Sequence, residues 1–251
     1  MKKETTSWGG VSDWYDDVVE NADSYQQKII LPNLIRIVEP KKYMNILDVG
    51  CGTGVFARAF CEKGASIVGI DLGKELIDIA KEKSKDVQYL VASAEDLSLL
   101  KNESFDVVTI VLALQNMKFL DKVMGEVSKK MKKGGRLVVV LNHPAFRVPQ
   151  MSDWYFDERL KIQYRKVAKY MSEIEVPILM NPSNKKSEKT YSFHRPLQVY
   201  VKSFAKNNLY ITRLEEWVSH KQSQAGPRKN AEDKARKEIP MFMCLECRKV
   251  I

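Results

Sequence analysis

Short apolar runs alternate with stretches of helical period between Asn45 and Leu141. Asn45–Val49 predicts a first strand, followed by a glycine turn and a helix through about Lys63. Ser66–Ile70 predicts a second strand, Val87–Val91 a third, Phe105–Leu112 a fourth and Arg136–Leu141 a fifth. The intervening helices are Lys74–Lys83, with Leu76, Ile77 and Ala80 on one side, and Leu120–Met131, with Val123, Val127 and Met131 in register. Lys133-Gly134-Gly135 closes the latter. Strands alternating with helices of this length make βαβ units and a parallel sheet. The strands are nearly all apolar, as required when helices cover both faces.

The flanks read differently. Trp8 to Glu39 predicts helix, lying over a site or a sheet edge. After the fifth strand, Phe156, Leu160, Tyr164, Val167, Met171 and Ile174 follow helical spacing, with Lys161, Arg165, Lys166 and Lys169 on other faces. That pattern predicts a helical insertion over about 144–192, ending in the loop 181–186. Leu197–Asn207 predicts a helix opened by Pro196, a favoured first-turn residue. Tyr210–Val218 and Pro240–Val250 predict closing strands, with a polar, basic loop and short helix over 219–238. The expected organisation is a helical segment at 1–44 and one α/β domain at 45–251 carrying the insertion.

Composition narrows the class without naming a chemistry. Hydrophobic residues make 44% and charged residues 29% of the chain, an ordinary globular balance. No apolar run approaches the roughly 20 residues of a membrane span, and no apolar segment follows Lys2 and Lys3 as a secretory signal requires. A cytoplasmic protein is expected. Cys244 and Cys247 form a C-x-x-C inside a strand-like run, without the further ligands of a structural zinc site, so no metal is expected. The net charge of +9 fits nucleic acid, an anionic substrate or a lysine-rich surface alike.

The chemistry is concentrated in Ile46-Leu47-Asp48-Val49-Gly50-Cys51-Gly52-Thr53-Gly54. Glycines at a strand-to-helix turn let backbone approach a nucleotide-like ligand. The spacing is G-x-G-x-G, unlike the G-x-G-x-x-G of dinucleotide sites. Asp48 sets a carboxylate at the end of the first strand, where a pyrophosphate is repelled and an ammonium attracted. Asp71 ends the second strand, 21 positions after Gly50, where an acid can take both hydroxyls of a ribose.

Asp48 to Gly54, Asp71 and Ala92-Ser93-Ala94-Glu95-Asp96-Leu97 resemble class I S-adenosylmethionine-dependent methyltransferases, and more narrowly the type 11 group that includes quinone C-methyltransferases. The resemblance implies a Rossmann-like, doubly wound sheet of seven strands, mostly parallel, with the last antiparallel. It implies S-adenosylmethionine as cofactor and S-adenosylhomocysteine as product. Asp48 and Gly50 then lie near the methionyl part and Asp71 at the ribose, with Cys51, Gly52, Gly54 and Leu72 also in contact with the cofactor. Ser93 and Ala94 lie by the adenine, with Glu95 also at the cofactor, and Leu112 and Ala113 pass the sulfonium as backbone. The family usually has Asp or Asn at the position of Ser93, so the backbone of Ala94 or a water can make that contact instead. Trp14 and Tyr15 resemble an aromatic segment that closes over the cofactor, or pack in the core.

His143, directly after the fifth strand, and His194, where the insertion returns, are the candidate bases, or else loop histidines held by backbone. Arg195 and Tyr191 are candidate substrate contacts, Arg195 alternatively binding the end of a helix. The aromatic residues of the insertion (Trp154, Tyr155, Phe156, Tyr164, Tyr170, Tyr191, Phe193) are candidates to cap the acceptor, or are core. A small or lipid-like acceptor is the leading expectation. The alternative is RNA or tRNA, bound through Lys221, Arg228, Lys229, Lys234, Arg236 and Lys237. Leu112–Met117 holds no [NDS]-P-P-[FYW] element of nucleic-acid amino methylation, which weighs against it.

Overall fold

Two short helices precede the sheet. Helix α1 (Ser12–Glu20) buries only Val19, whereas a π-helical turn (Gln26–Ile30) runs into α2 (Leu31–Val38), which buries Leu34, Ile37 and Val38. A computed structural model defines these elements and describes residues 11–250, apart from 182, 183, 185, 186 and 188. The first ten residues and four of the six in the expected 181–186 loop therefore lie outside the described residues.

The alternating segment folds as β1 (Asn45–Val49), α3 (Val55–Glu62), β2 (Ser66–Asp71), α4 (Lys74–Lys83), β3 (Gln88–Val91), β4 (Phe105–Val111), α5 (Leu120–Lys130) and β5 (Met131–Asn142). Burial explains the strands: Ile46 enters a core with α2, α3 and α4, and its neighbour Leu47 enters a second core with α5, because successive strand residues face opposite sides. β5 starts earlier than the sequence suggests. Extended backbone begins at Met131, Gly134 takes φ +71° and the register with β4 shifts between Phe105 and Val107, so the glycines make an irregularity within the strand.

Beyond β5 come β6 (Ser152–Asp157), β7 (Ile162–Val167), β8 (Ile174–Leu179), β9 (Lys189–His194), α6 (Leu197–Lys206), β10 (Leu209–Trp217), α7 (Lys229–Glu238) and β11 (Phe242–Lys249). The sheet has seven strands in the order β10-β11-β5-β4-β1-β2-β3. Neighbours from β5 to β3 run parallel, and β11 is antiparallel to both β5 and β10. This is the doubly wound Rossmann-like sheet. Cys244 and Cys247 fall in different cores on opposite faces of β11, their thiols pushed up to about 12 by burial.

The expected helical insertion is instead two β-hairpins. β6 pairs with β7, Tyr155 opposite Tyr164, and β8 pairs with β9, Val176 opposite Ser192. Asp157 Oδ1 accepts the amides of Arg159 (2.9 Å) and Leu160 (2.8 Å), and Lys161 takes φ +54°. This side-chain turn reverses the chain where a helix would have continued, and the aromatic and β-branched residues around it favour strands.

Candidate active site

The turn after β1 is fastened to β2, since Gly50 N and Cys51 N both donate to Ile70 O at 2.8 and 2.9 Å. Gly50 has φ +72°, and a Cβ there would stand 2.6 Å from Ala113 Cβ. Gly54 has φ +81°, with Tyr89 Oη 2.3 Å from where its Cβ would be. A side chain at either point would displace a neighbour, so the loop presses against the exit of β4 at Gly50 and against Tyr89 of β3 at Gly54.

Asp71 Oδ2 accepts from Gly52 N (3.0 Å) and its Oδ1 from Gly73 N (2.8 Å). Burial raises its pKa, and the amides of Gly73, Gly52 and Leu72 oppose the rise. Asp48 is more deeply buried. Thr109 Oγ1 donates to its Oδ1 at 2.7 Å, while its Oδ2 is buried without a partner. Its pKa is pushed up to about 7, by burial first, against the Thr109 hydrogen bond, with the charge of Asp71 adding to the rise.

Two clefts open at the carboxyl ends of the strands and share Gly50, Asp71, Ala113 and Asn116. The first, about 610 Å³, runs past Leu72, Ala92 and Ser93–Glu95 to Met117. The second, about 780 Å³, lies among Tyr15, Gly52, Leu112, Gln115 and Asn142, with Ile178 and Ser192 of the β8–β9 hairpin above. Leu112 takes φ +53° where they meet, its amide bonded to Val140 O (2.8 Å) and its carbonyl accepting Gln115 Nε2 (2.7 Å). A residue other than glycine in this region is held by its surroundings. Crevices beyond the carboxyl ends of the strands are the ligand sites of open α/β sheets.

Of the residues singled out in the sequence, Tyr15, Gly50, Gly52, Asp71, Leu72, Ser93, Ala94, Glu95, Leu112 and Ala113 line these clefts. Asp48, Cys51 and Gly54 lie beneath them, in the floor. Ser93 Oγ accepts Glu95 N at 3.2 Å, which fixes the turn after β3. Tyr15 lies on Gly52, and burial, then the charge of Asp71, raises its phenol pKa.

The two histidines are elsewhere. His143 accepts Ala145 N at Nδ1 (3.2 Å), so its Nε2–H donates to Glu216 Oε1 at 2.6 Å. His194 Nε2 donates to Tyr170 O at 2.8 Å. Both are buried, and neither lines either cleft. Arg195 donates to the carbonyls of Met117 (2.8 Å) and Lys118 (2.7 Å), pinning the turn that closes the first cleft. Tyr191 stands opposite exposed Pro177, on the face of β9 away from Ser192. None of the seven aromatic residues of the insertion lines the acceptor side; Ile178 and Ser192 do.

Gln26, Gln115, Asn116, Asn142 and Ser192 went unread in the sequence. Asn142 had a signal: it is the last residue of β5, at the carboxyl end where the cleft opens, while His143 just after it turns to Glu216 of β10. Among the described residues no group of His, Cys, Asp or Glu could hold a metal ion, and no helix is long and apolar enough to cross a membrane.

Residues 47–139, the stretch that builds both cleft floors, match the family described as a methyltransferase domain. That stretch is similar to methyltransferase domains. Around this stretch the likeness thins. A ubiquinone biosynthesis O-methyltransferase of Pelagibacter ubique is 30% identical over 154 residues, 55% of this chain and 63% of that one. A demethylmenaquinone methyltransferase of Renibacterium salmoninarum is 32% identical over 102 residues, 40% and 43% of the two chains. The chain thus spans between two-fifths and two-thirds of the length of these curated relatives. The fold extends further: an S-adenosylmethionine-dependent methyltransferase of Mesorhizobium loti superposes with a TM-score of 0.68 over 86% of this chain and 96% of its own, at 23% identity.

Proposed function

We propose that this chain is an S-adenosylmethionine-dependent methyltransferase whose acceptor is a small or lipid-like molecule under the β8–β9 hairpin. The observation that carries the reading is the meeting of two clefts at Gly50, Asp71, Ala113 and Asn116: one of about 610 Å³ running past Leu72 and Ser93–Glu95, the other of about 780 Å³ carrying Gln115, Asn142 and Ser192. S-adenosylmethionine, when bound, supplies a methyl group already activated on a sulfonium. The chain's own task is then alignment and exclusion of water.

The residues suit that ligand. Asp71 is fixed by two amides and keeps lone pairs for ribose hydroxyls. Ser93 and Ala94 line the adenine end. The partnerless Oδ2 of Asp48 draws an ammonium toward the glycine turn. On the acceptor side, Gln115 Oε1 is buried with no protein partner and is available to accept a hydrogen bond from the acceptor. Apart from Asp71 and Tyr15, the residues of this cleft carry no ionisable group, and His143 and His194 are spent on protein partners. That favours an acceptor that loses its proton readily, such as an acidic hydroxyl or an activated carbon, over one needing a strong base. The two curated relatives, named for ubiquinone biosynthesis and for demethylmenaquinone, support the same class.

Half of the basic residues of the nucleic-acid alternative are paired with acids. Lys221 pairs with Asp23, Arg228 with Glu158 and Lys229 with Asp233.

The test is calorimetric titration of S-adenosylhomocysteine, followed by transfer of a labelled methyl group into a fractionated cell extract. Asp71→Ala weakens the titration at least about tenfold, as expected for hydrogen bonds to a charged group, and abolishes labelling of the organic or small polar pool. Label in RNA, removed by ribonuclease, would overturn the acceptor class; no binding of S-adenosylhomocysteine would overturn the whole reading.

A further inference from the structure

A third cleft, of about 530 Å³, lies outside the two already described and shares no lining residue with them. Its walls bring together Arg147 from the chain after β5, Arg165 from β7 and Arg236 from α7, with Phe146 and Trp154 as aromatic surface. Guanidinium groups so gathered repel one another, and the charge of Arg165 bears directly on Arg147. In most proteins such a cluster is neutralised by Asp or Glu. Here it is not. Among the described residues, Arg147 donates to Asn142 Oδ1 (2.8 Å), Arg165 to Phe146 O (2.8 Å) and Ser152 Oγ (2.9 Å), and Arg236 to Ser223 Oγ (3.3 Å). Every acceptor is neutral. The acid whose charge reaches Arg165 is Asp153, which pairs across the hairpin with Lys166, on the opposite face from the Arg165–Trp154 pair.

These neutral bonds occupy a minority of the N–H groups, since each guanidinium offers five in a planar fork matched to an oxyanion. Arg165 also stacks over Trp154, 5.2 Å from the ring centroid, which fixes the fork beside an apolar wall. We propose that this cleft is a binding site for an oxyanion, a phosphate or carboxylate group, carried on or beside an aromatic or apolar body. Its position gives it a bearing on the acceptor side: Arg147 holds Asn142, and Asn142 lines the second cleft. The oxyanion is either the far end of the acceptor or a separate anion whose arrival moves Asn142.

Thermal-shift and calorimetric titrations of the full chain with inorganic phosphate and with phenyl phosphate test the proposal, at constant ionic strength made up with sodium chloride. Saturable binding is expected, with Arg165→Gln and Arg236→Ala each raising Kd by about tenfold or more. Both positions are partly exposed, and the melting midpoint without ligand shows whether each variant folds. Phenyl phosphate binding more tightly than phosphate, with the gain lost in Ser192→Ala, assigns the site to the acceptor's anionic end. Equal binding of the two, unaffected by Ser192→Ala, assigns it to a separate anion. No shift beyond the chloride control, or binding unchanged in both arginine variants, overturns the site. S-adenosylhomocysteine titrated on the unsubstituted chain and the two arginine variants is expected to bind alike, so failure here leaves the methyltransferase reading standing.

Discussion

Gly50 carries two constraints that can be measured apart. Its left-handed backbone costs any other residue about 1 kcal/mol, and the Cβ of an alanine would press into Ala113. Gly50→Ala is expected to destabilise the fold by about 2–4 kcal/mol, strain and overpacking together. Adding Ala113→Gly removes the overpacking and leaves about 1 kcal/mol, a double-mutant cycle read by urea denaturation. Asp48 gives a pH signature. Its folded pKa, about 7, lies above the unfolded carboxylate value, so the native state holds the proton more tightly. The stability this contributes is full below about pH 4 and lost as pH rises through about 7. Asp48→Asn, which cannot ionise, is expected to gain in melting temperature over the unsubstituted chain between pH 5 and pH 8, with the two nearly level at the acid end. The cofactor floor was legible because glycines and paired acids declare themselves at fixed offsets. Gln115, Asn142 and Ser192 did not, because an amide or hydroxyl becomes a binding group only when a fold leaves it facing a cavity.

At the scale of elements, α1 and α2 are attached by different forces. α2 buries Leu34, Ile37 and Val38, whereas α1 buries Val19 alone and is tied to the domain by ion pairs: Asp16 with Lys83 (2.5 Å), and Glu20 with both Lys83 (3.0 Å) and Arg58. Pairs of this kind are worth up to about 1 kcal/mol each, and 1 M salt shortens their reach to about 3 Å. Amide hydrogen exchange in α1 is therefore expected to quicken with salt while α2 stays protected, and S-adenosylhomocysteine is expected to slow it again through Tyr15 on Gly52. An unchanged α1 in high salt would contradict this account. The insertion shows where periodicity misleads. Phe156, Leu160 and Tyr164 are four apart, as on a helix face, yet a hairpin of this length puts Phe156 and Tyr164 on neighbouring strands with Leu160 in the turn between. The Asx turn at Asp157, with the aromatic and β-branched residues beside it, is what tells the two apart.

For the molecule as a whole, the alternating stretch from Asn45 to Leu141 was readable because each element there pairs or packs with a near neighbour in sequence. The two closing strands were readable as strands; their places in the sheet came from the family likeness, since apolar alternation carries no information about which edge a strand joins. That placement has a consequence in time. β11 lies between β5 and β10, yet it is made about a hundred residues after β5 ends. At roughly 5–20 residues per second of synthesis, the apolar edge of β5 waits on the order of 5–20 s for the strand that seals it. Throughout that wait it offers unpaired backbone to any extended chain nearby. The order in which the strands leave the ribosome is not the order in which they sit, and the nascent protein must be shielded until its penultimate seam is closed from the far end.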